Sequence, residues 1–213
     1  MPAEPYRISP VDRQLAALGA RWTMLRGWRV AVTVDPQPES PNGLYDLSDY
    51  AKVEIRGSEL ERLPLSDAGL PAPRSGRELG RAVLYRFTAE QLLVCAPAES
   101  ELPALEAVGC AHRTDRTSGL ACFLLAGPHA AGILNRLTSL DLREDRFPNL
   151  ACARAPVARV NGWIARRDRR QARAYEIYCG REYGEYLWGA IREAGRHAGL
   201  AVRGRMGLGM LEV

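Results

Sequence analysis

Cysteine and histidine side chains could bind a metal, and cysteines could form disulfides, but the spacing of these residues supports neither chemistry. The chain carries Cys95, Cys110, Cys122, Cys152 and Cys179, together with His112, His129 and His197. No two cysteines form a C-x-x-C pair, and no histidine stands at ligand spacing from them. We therefore expect no metal site and no disulfide framework. Cys122 lies within an apolar run and is interpreted as a core residue.

A cluster of arginines is the second chemically distinctive feature. Arginine occupies four of the five positions from Arg166 to Arg170, and Arg173 follows. One interpretation is a solvated hairpin tip, and the other is a surface for an anionic partner or ligand tail. The formal net charge is only +4, and the general bias towards Arg, Ala, Gly and Leu is typical of GC-rich codon usage. We therefore expect no nucleic-acid partner.

The length and composition are those of an ordinary globular protein. Of the 213 residues, 46% are hydrophobic and 25% charged, which suits one large domain over residues 1–213 or two closely packed halves. The first ten residues are polar and proline-rich, unlike a secretory signal peptide. No apolar run reaches the ~18 residues that a spanning helix needs. We expect a cytoplasmic protein with no membrane partner.

The clearest structural elements lie in residues 114–140. Residues 120–125 are apolar on both faces, which predicts a buried strand. Gly127 and Pro128 end that strand, since glycine accepts a positive φ and proline suits the first turn of a helix. Apolar residues at helical spacing then predict a helix over 129–137. They are Ala130, Ile133, Leu134 and Leu137.

The same layout occurs about 70 residues earlier, over residues 46–65, and this suggests two copies of one β–turn–α unit. The paired positions are Asp46 with Asp115, Ser48 with Thr117, and Gly57 with Gly127. Leu60 and Leu63 correspond to the helix face of the second copy. We expect Asp46 and Ser48 to satisfy backbone groups in a turn and not to bind a ligand.

Patterns elsewhere complete an α+β architecture of two ferredoxin-like β-α-β-β-α halves, about 28–110 and 111–203. Before the first half we predict a short helix at 11–18. In the first half we predict a strand at 28–34, loops at 36–43 and 66–80, a hairpin of 82–87 with 91–96, and a helix at 100–108. In the second half we predict strands at 151–160, 162–165, 173–179 and 200–202, and a helix at 182–197.

Several of these segments resemble the folate-binding domain of the glycine-cleavage T-protein (aminomethyltransferase) superfamily. They are GLYDLSDYAKVEIRG at 43–57, YRFTAEQLLVCAPA at 85–98, AYEIYC at 174–179 and GLAVRGRMGLGMLEV at 199–213. Within that superfamily the chain is most similar to the gamma subunit of heterotetrameric sarcosine oxidase. The residues that carry this likeness are Leu140-Asp141-Leu142, Phe147-Pro148, Cys152 and Tyr186-Leu187-Trp188. The resemblance implies a single folate-binding-type domain without the C-terminal barrel of the T-protein.

The resemblance also suggests site residues. Glu176 aligns with the carboxylate that holds the pterin in the family, a geometry with real selectivity. Tyr50 and the neighbouring Tyr175 are further folate-binding candidates. The alternatives are an exposed strand residue for Glu176 and simple packing for Tyr50. The family's acidic residue before the second hairpin is replaced by Gly80-Arg81, and arginine cannot take over proton transfer, so we assign no catalytic residue.

These differences favour an accessory gamma-type subunit of a sarcosine-oxidase-like amine-oxidising complex. Its partners would be flavoprotein alpha- and beta-type subunits that carry the flavin, with tetrahydrofolate as a candidate ligand of this chain. Trp163 and Trp188 are candidate interface anchors, because tryptophan is enriched at hot spots; burial in the core is the alternative. The second hypothesis is a free-standing tetrahydrofolate-dependent aminomethyl- or methyltransferase. The iron–sulfur-maintenance branch of the superfamily ranks last, since its lysine-containing signature is absent.

Overall fold

The computed structural model describes residues 5–35, 39–63, 65, 69–105, 111–170 and 172–212. Over these ranges the chain forms strands and α-helices joined by turns and short 3₁₀ segments. The strands are β1 (Arg7–Ile8), β2 (Ala20–Leu25), β3 (Trp28–Val34), β4 (Gly43–Asp46), β5 (Ala51–Arg56), β6 (Ser75–Leu79), β7 (Ala82–Thr88), β8 (Gln91–Ala96), β9 (His112–Asp115), β10 (Leu120–Ala126), β11 (Cys152–Val157), β12 (Val160–Arg166), β13 (Ala174–Gly180) and β14 (Ala201–Arg203). The helices are α1 (Asp12–Ala17), α2 (Ala130–Leu134), α3 (Gly184–Gly195) and α4 (Arg205–Glu212).

Two large sheets have the same order of equivalent strands. One runs β6-β7-β8-β5-β9, and the other runs β11-β12-β13-β10-β4-β14. Strands β5, β6, β7 and β8 thus correspond in order to β10, β11, β12 and β13. The strand that precedes each set crosses to the other sheet, because β4 pairs with β10 and β9 pairs with β5, both antiparallel. Each half therefore completes the sheet of the other, and the predicted duplication lies in the sheets.

The turns after the two crossing strands are built alike. The side chain of Asp46 accepts a hydrogen bond from the Ser48 N–H (3.0 Å), and that of Asp115 accepts one from the Thr117 N–H (2.8 Å). Both are turns in which an aspartate oxygen replaces a backbone acceptor two residues earlier in the chain. The predicted turn role of Asp46 is confirmed.

Reciprocal hydrogen bonds then join the two halves. The Ser48 hydroxyl accepts the N–H of Cys122 in β10 (3.2 Å), and the Thr117 hydroxyl accepts the N–H of Lys52 in β5 (3.1 Å). These bonds matter because a buried backbone N–H without an acceptor is costly. The paired Ser and Thr positions therefore fix the two sheets to one another at equivalent points.

The core has three apolar layers. The first lies between the six-stranded sheet and helices α1 to α3, the second between the two sheets, and the third on the outer face of the five-stranded sheet. Strand β10 is buried on both faces, which explains its continuous apolar sequence. Phe123 and Leu125 point to the helix layer, whereas Cys122 and Leu124 point into the layer between the sheets.

A small sheet of order β1-β3-β2 lies at the N-terminal end of the chain. Strands β2 and β3 form a hairpin whose turn residues, Arg26 and Gly27, both have positive φ values of 51° and 74°. Such a two-residue turn matches the right-handed twist of the strands that it joins. Within the described residues, the longest helix is α3 with 12 residues, and none is long and apolar enough to cross a membrane.

The first half contains less helix than the sequence predicts. The helix predicted at 100–108 is wrong over its described part: a 3₁₀ segment, Glu99–Glu101, is followed by an extended backbone at Leu102. Pro103 explains this, since the residue before proline is pushed out of the helical region; residues 106–110 lie outside the described ranges. The predicted helix after Gly57 is likewise reduced to the 3₁₀ segment Leu60–Arg62.

The loop predicted at 66–80 is partly wrong, because its last part forms strand β6 at the edge of the five-stranded sheet. Its sequence, SGREL, shows no clear apolar alternation. The segment is a strand because it pairs with β7, and its own side-chain pattern does not indicate this. No element was predicted where the structure has strands β1, β2, β4 and β9 and helix α4. The predicted elements that do form differ by a few residues at their ends, as for α2, which is shorter than the helix predicted at 129–137.

The turn between β10 and α2 yields a direct test of the fold. Gly127 has a φ of +125°, and a Cβ there would overlap the carbonyl oxygen of Pro41. We expect Gly127→Ala to lower the free energy of unfolding by about 2 kcal/mol or more, from backbone strain and overpacking. Urea denaturation measures this. Gly132→Ala is the control: no atom lies within 4 Å of its added Cβ, so equal losses in both variants would contradict the explanation.

Candidate functional site

A buried carboxylate in the layer between the two sheets is the centre of the candidate site. Glu176 belongs to β13, and its residue is only 3% exposed. Its Oε2 accepts hydrogen bonds from the hydroxyls of Tyr178 (2.5 Å) and Tyr85 (3.0 Å), and its Oε1 accepts one from the Arg169 guanidinium (2.7 Å). Arg167 lies 3.9 Å from Oε1. The alternative interpretation, that Glu176 is an exposed strand residue, is therefore wrong.

The electrostatics of this cluster keep Glu176 ionised. Burial alone raises the pKa of the Glu176 carboxyl, but Arg169, Arg167 and the two tyrosine hydroxyls outweigh it and hold that pKa below its ordinary value. Burial and the nearby carboxylate raise the pKa of the Tyr85 hydroxyl. The carboxylate is thus a permanent acceptor and the tyrosines are permanent donors over the ordinary pH range.

The arginine cluster is a folded part of this site and not a solvated tip, so that interpretation is wrong. Arg166, Arg167 and Arg169 are each less than one tenth exposed. Arg166 forms a two-pronged ion pair with Asp168, and Arg167 pairs with Glu78 of β6 at 2.6 Å. Guanidinium groups are suited to such paired contacts because their donors form a rigid fork.

The hairpin that carries these arginines joins β12 to β13. A bridge between Arg169 and Ala172 closes it, with the backbone of Arg170 at a φ of +51°. The hairpin is also tied to the turn at Gly127, whose N–H donates to the carbonyl of Arg173 (2.9 Å). Arg169 is therefore held with its side chain directed at Glu176.

The contacts of Glu176 limit what else it can bind. A carboxylate has room for about four hydrogen bonds, and three donors already occupy its two oxygens at 3.0 Å or less. A ligand that engages both oxygens must displace Arg169 or a tyrosine hydroxyl. The protein thus supplies from its own side chains the kind of partner that a bound ring would supply.

The other two folate-binding candidates lie in different places. Tyr50 is buried in the layer between the sheets, on the Glu176 side, and the Arg205 guanidinium lies 4.9 Å from its ring centroid. Tyr175 lies on the opposite face of β13, in the helix layer, where its ring stacks on Phe147 at 6.4 Å. Neighbouring strand residues point to opposite faces, so the structure brings Tyr50 near Glu176 but separates Tyr175 from it.

The two tryptophans proposed as interface anchors are both packed inside the chain. Trp188 has no exposed surface and makes an edge-to-face contact with Phe123 at 5.1 Å. It is a core residue and offers no surface to a partner. Trp163 is 9% exposed and packs on Phe87 and Tyr178. It lines a surface cavity of about 370 Å³, so only Trp163 keeps access to the outside.

Sequence reasoning missed Lys52, which is fully buried between the sheets. Its ammonium group donates to the carbonyl oxygens of Tyr50 (2.7 Å) and Ser48 (3.0 Å). Burial lowers the pKa of this amine, while nearby Cys122 and Cys95 oppose that shift. The available signal was its type and position: Lys52 is the single lysine in the sequence, and it lies within a buried strand.

The ion pair at Glu176 leads to a stability prediction. Arg169→Met leaves the buried Glu176 carboxylate with the more distant guanidinium of Arg167 as its cation. We expect this to lower the free energy of unfolding by about 3 kcal/mol. Arg170→Met, in the same hairpin but exposed, should change it by less than about 0.5 kcal/mol. Adding Glu176→Gln to Arg169→Met should recover part of the loss, because the uncompensated charge is gone. Chemical denaturation of the wild type, the three single variants Arg169→Met, Arg170→Met and Glu176→Gln, and the double variant measures these values. Additive losses for Arg169→Met and Glu176→Gln would refute the pairing.

Alkaline pH should destabilise the fold. Burial raises the pKa of the Cys95, Cys152 and Cys179 thiols from 9.0 to about 12. Between these values the unfolded chain releases protons that the folded chain keeps, so stability falls as pH rises above 9, by up to about 1.4 kcal/mol per pH unit for each thiol. Lys52 acts in the opposite sense but is a single group. Denaturation at pH 8, 9 and 10 measures the slope, and Cys179→Ala should reduce it; an unchanged slope would contradict this assignment.

Comparison with known proteins agrees with this architecture. The aminomethyltransferase of Streptomyces coelicolor is 26% identical to the chain in an alignment 231 residues long. The alignment covers 94% of this chain and 60% of the relative. The aminomethyltransferase of Anoxybacillus flavithermus is 24% identical over 217 residues, which cover 90% and 59% of the two chains. The chain thus spans about 60% of the length of these curated relatives.

Two solved structures share the fold. The glycine cleavage system aminomethyltransferase T from Bartonella henselae gives a TM-score of 0.72 at 18% identity, covering 93% of this chain and 59% of that one. A chain of the heterotetrameric sarcosine oxidase from Corynebacterium sp. U-96 gives a TM-score of 0.62 at 15% identity, covering 90% and 95%. Residues 74–212, more than half of the chain, match the family described as the GCVT N-terminal domain. The chain therefore belongs to the GCVT N-terminal domain family.

Proposed function

We propose that this chain is an accessory, gamma-type subunit of a heteromeric, sarcosine-oxidase-like, amine-oxidising complex linked to folate one-carbon chemistry. The observation that carries the proposal is that Arg169, Tyr85 and Tyr178 already hydrogen-bond to both oxygens of Glu176. A chain that bound and activated a pterin through this carboxylate would need to leave it open. A chain that serves as a structural partner gains a satisfied core instead.

A second observation points the same way. Arg81 occupies the place where the sequence resemblance leads us to expect an acid, in the turn between β6 and β7. Its guanidinium is largely exposed and pairs with Glu101 at 2.9 Å. Arginine is always charged and has no proton to exchange near neutral pH, so this position supplies neither a general base nor a negative charge for a developing cation.

The structural likeness to a chain of a heterotetrameric sarcosine oxidase also supports a subunit role. That match covers 90% of this chain and 95% of the sarcosine oxidase chain. In the proposed complex, flavoprotein alpha- and beta-type partners bind the flavin and oxidise the amine. This chain docks on them, with Trp163 and its surrounding cavity as a candidate contact.

An autonomous, tetrahydrofolate-dependent aminomethyltransferase is the second candidate, because curated relatives at 24–26% identity carry that name. This role would require Arg169 to leave Glu176, so that the carboxylate and Tyr50 could face one bound ring. It would also require an acid from another segment or chain, since Arg81 cannot act as one.

A titration separates the two candidates. We expect the isolated chain to show no saturable heat with tetrahydrofolate up to millimolar concentration, because the two oxygens of Glu176 are already occupied. Arg169→Ala is the matched variant, and a signal that appears only in this variant would identify Arg169 as the group that closes the site. Saturable binding by the wild-type chain in the micromolar range would favour the autonomous transferase.

Recovery of the native complex tests the subunit role directly. A tagged chain purified from its own source should elute with a flavin-containing protein in a fixed ratio, detected by the visible absorbance of the flavin and by the masses of the co-eluting chains. Elution of the chain alone, at a concentration where it is folded, would contradict the proposal.

A further inference from the structure

A second cavity, of about 750 Å³, opens beside the arginine hairpin. Four guanidinium-bearing residues line it, namely Arg166, Arg169, Arg170 and Arg173, against one carboxylate, Asp168. Pro41, Pro128 and Leu211 supply apolar wall. The volume lies in the range of about 300–1,000 Å³ that is usual for small-molecule sites.

The charges around this cavity do not balance. The hairpin contributes five arginines, Arg166, Arg167, Arg169, Arg170 and Arg173, and their partners are the four carboxylates Glu78, Glu144, Asp168 and Glu176. One positive charge is therefore in surplus. Among the ion pairs of the described residues, none involves Arg170, which is exposed at the cavity.

Two further arginines of the cavity wall bear on the binding of an anion. Arg173 pairs with Glu144, but the two side chains are 35% and 61% exposed, so water and salt weaken the pair and a ligand can replace Glu144. Arg169 is 8% exposed, and its Nε–H is buried without a hydrogen-bond acceptor in the described part of the chain. Buried donors normally have a partner, so an orphaned one in this wall points to an acceptor that the chain does not supply.

We propose that this cavity binds a small polyvalent oxyanion, carrying carboxylate or phosphate groups, through Arg170 and Arg173. Guanidinium groups match both kinds of oxyanion because their donors form a planar fork. The apolar wall formed by Pro41, Pro128 and Leu211 accommodates a short carbon body. This inference goes beyond the subunit role and does not depend on it.

The first experiment measures thermal unfolding of the full chain at constant ionic strength, with sodium chloride replaced stepwise by citrate, pyrophosphate or inorganic phosphate. We expect a saturable rise in melting temperature of a few degrees with a polyvalent anion, since a ligand that binds only the folded state stabilises it. A response to citrate alone identifies carboxylates, and a response to pyrophosphate or phosphate alone identifies phosphates. The absence of a saturable rise with all three would overturn the proposal.

Matched variants separate a site from general screening of charge. Arg170→Ser should raise the apparent dissociation constant about tenfold, because one charge-assisted contact is lost. Arg170→Glu should abolish the rise in melting temperature. Arg154→Ser removes an exposed arginine of β11 that does not line this cavity, and it should leave the dissociation constant unchanged. Equal weakening by Arg170→Ser and Arg154→Ser would overturn the proposal. All variants are first compared without ligand, so that a change in basal stability is not read as a change in binding.

Discussion

The buried carboxylate of Glu176 is the constraint on which the centre of this structure depends. An ionised carboxylate between two sheets is stable only when it is paired and hydrogen-bonded. Its partners come from three places: Tyr178 from the same strand, Tyr85 from the opposite sheet, and Arg169 from the hairpin. The charge therefore fixes the spacing of the sheets and the conformation of the hairpin at the same time.

The duplicated frame explains how such an asymmetric site arises. In the register of the sheets, Lys52 lies opposite Cys95 just as Cys122 lies opposite Tyr178. One step along, Glu54 faces Leu93, and Leu124 faces Glu176. The position equivalent to Glu176 in the first half is thus Leu93, and that equivalent to Lys52 in the second half is Cys122. The backbone repeats, but the buried charges of Lys52 and Glu176 lie on strands β5 and β13, which are not equivalent in the two halves.

The local sequence pattern was enough to predict elements whose structure depends on their own residues. Strand β3 matches its predicted limits, because alternation over WRVAVTV reports a surface that is buried on one side. The Asp46–Ser48 turn was predictable because its hydrogen bond spans two residues. Strand β6 was not predictable, since its sequence SGREL adopts a strand through pairing with β7 and not through its own side-chain pattern.

The arginine hairpin shows why the site itself could be predicted only in part. Glu176 was identifiable from its strand and its resemblance, but the burial of the hairpin depends on carboxylates that are distant in sequence. Glu78 lies 89 residues before its partner Arg167, and Glu144 lies 22 before Arg166. No local pattern reports such pairs. Because the hairpin has one arginine more than the carboxylates that it meets, neutralising Glu176 inside the protein leaves a positive charge outside. The feature that closes the inner site is therefore also the one that creates a basic cavity on the surface.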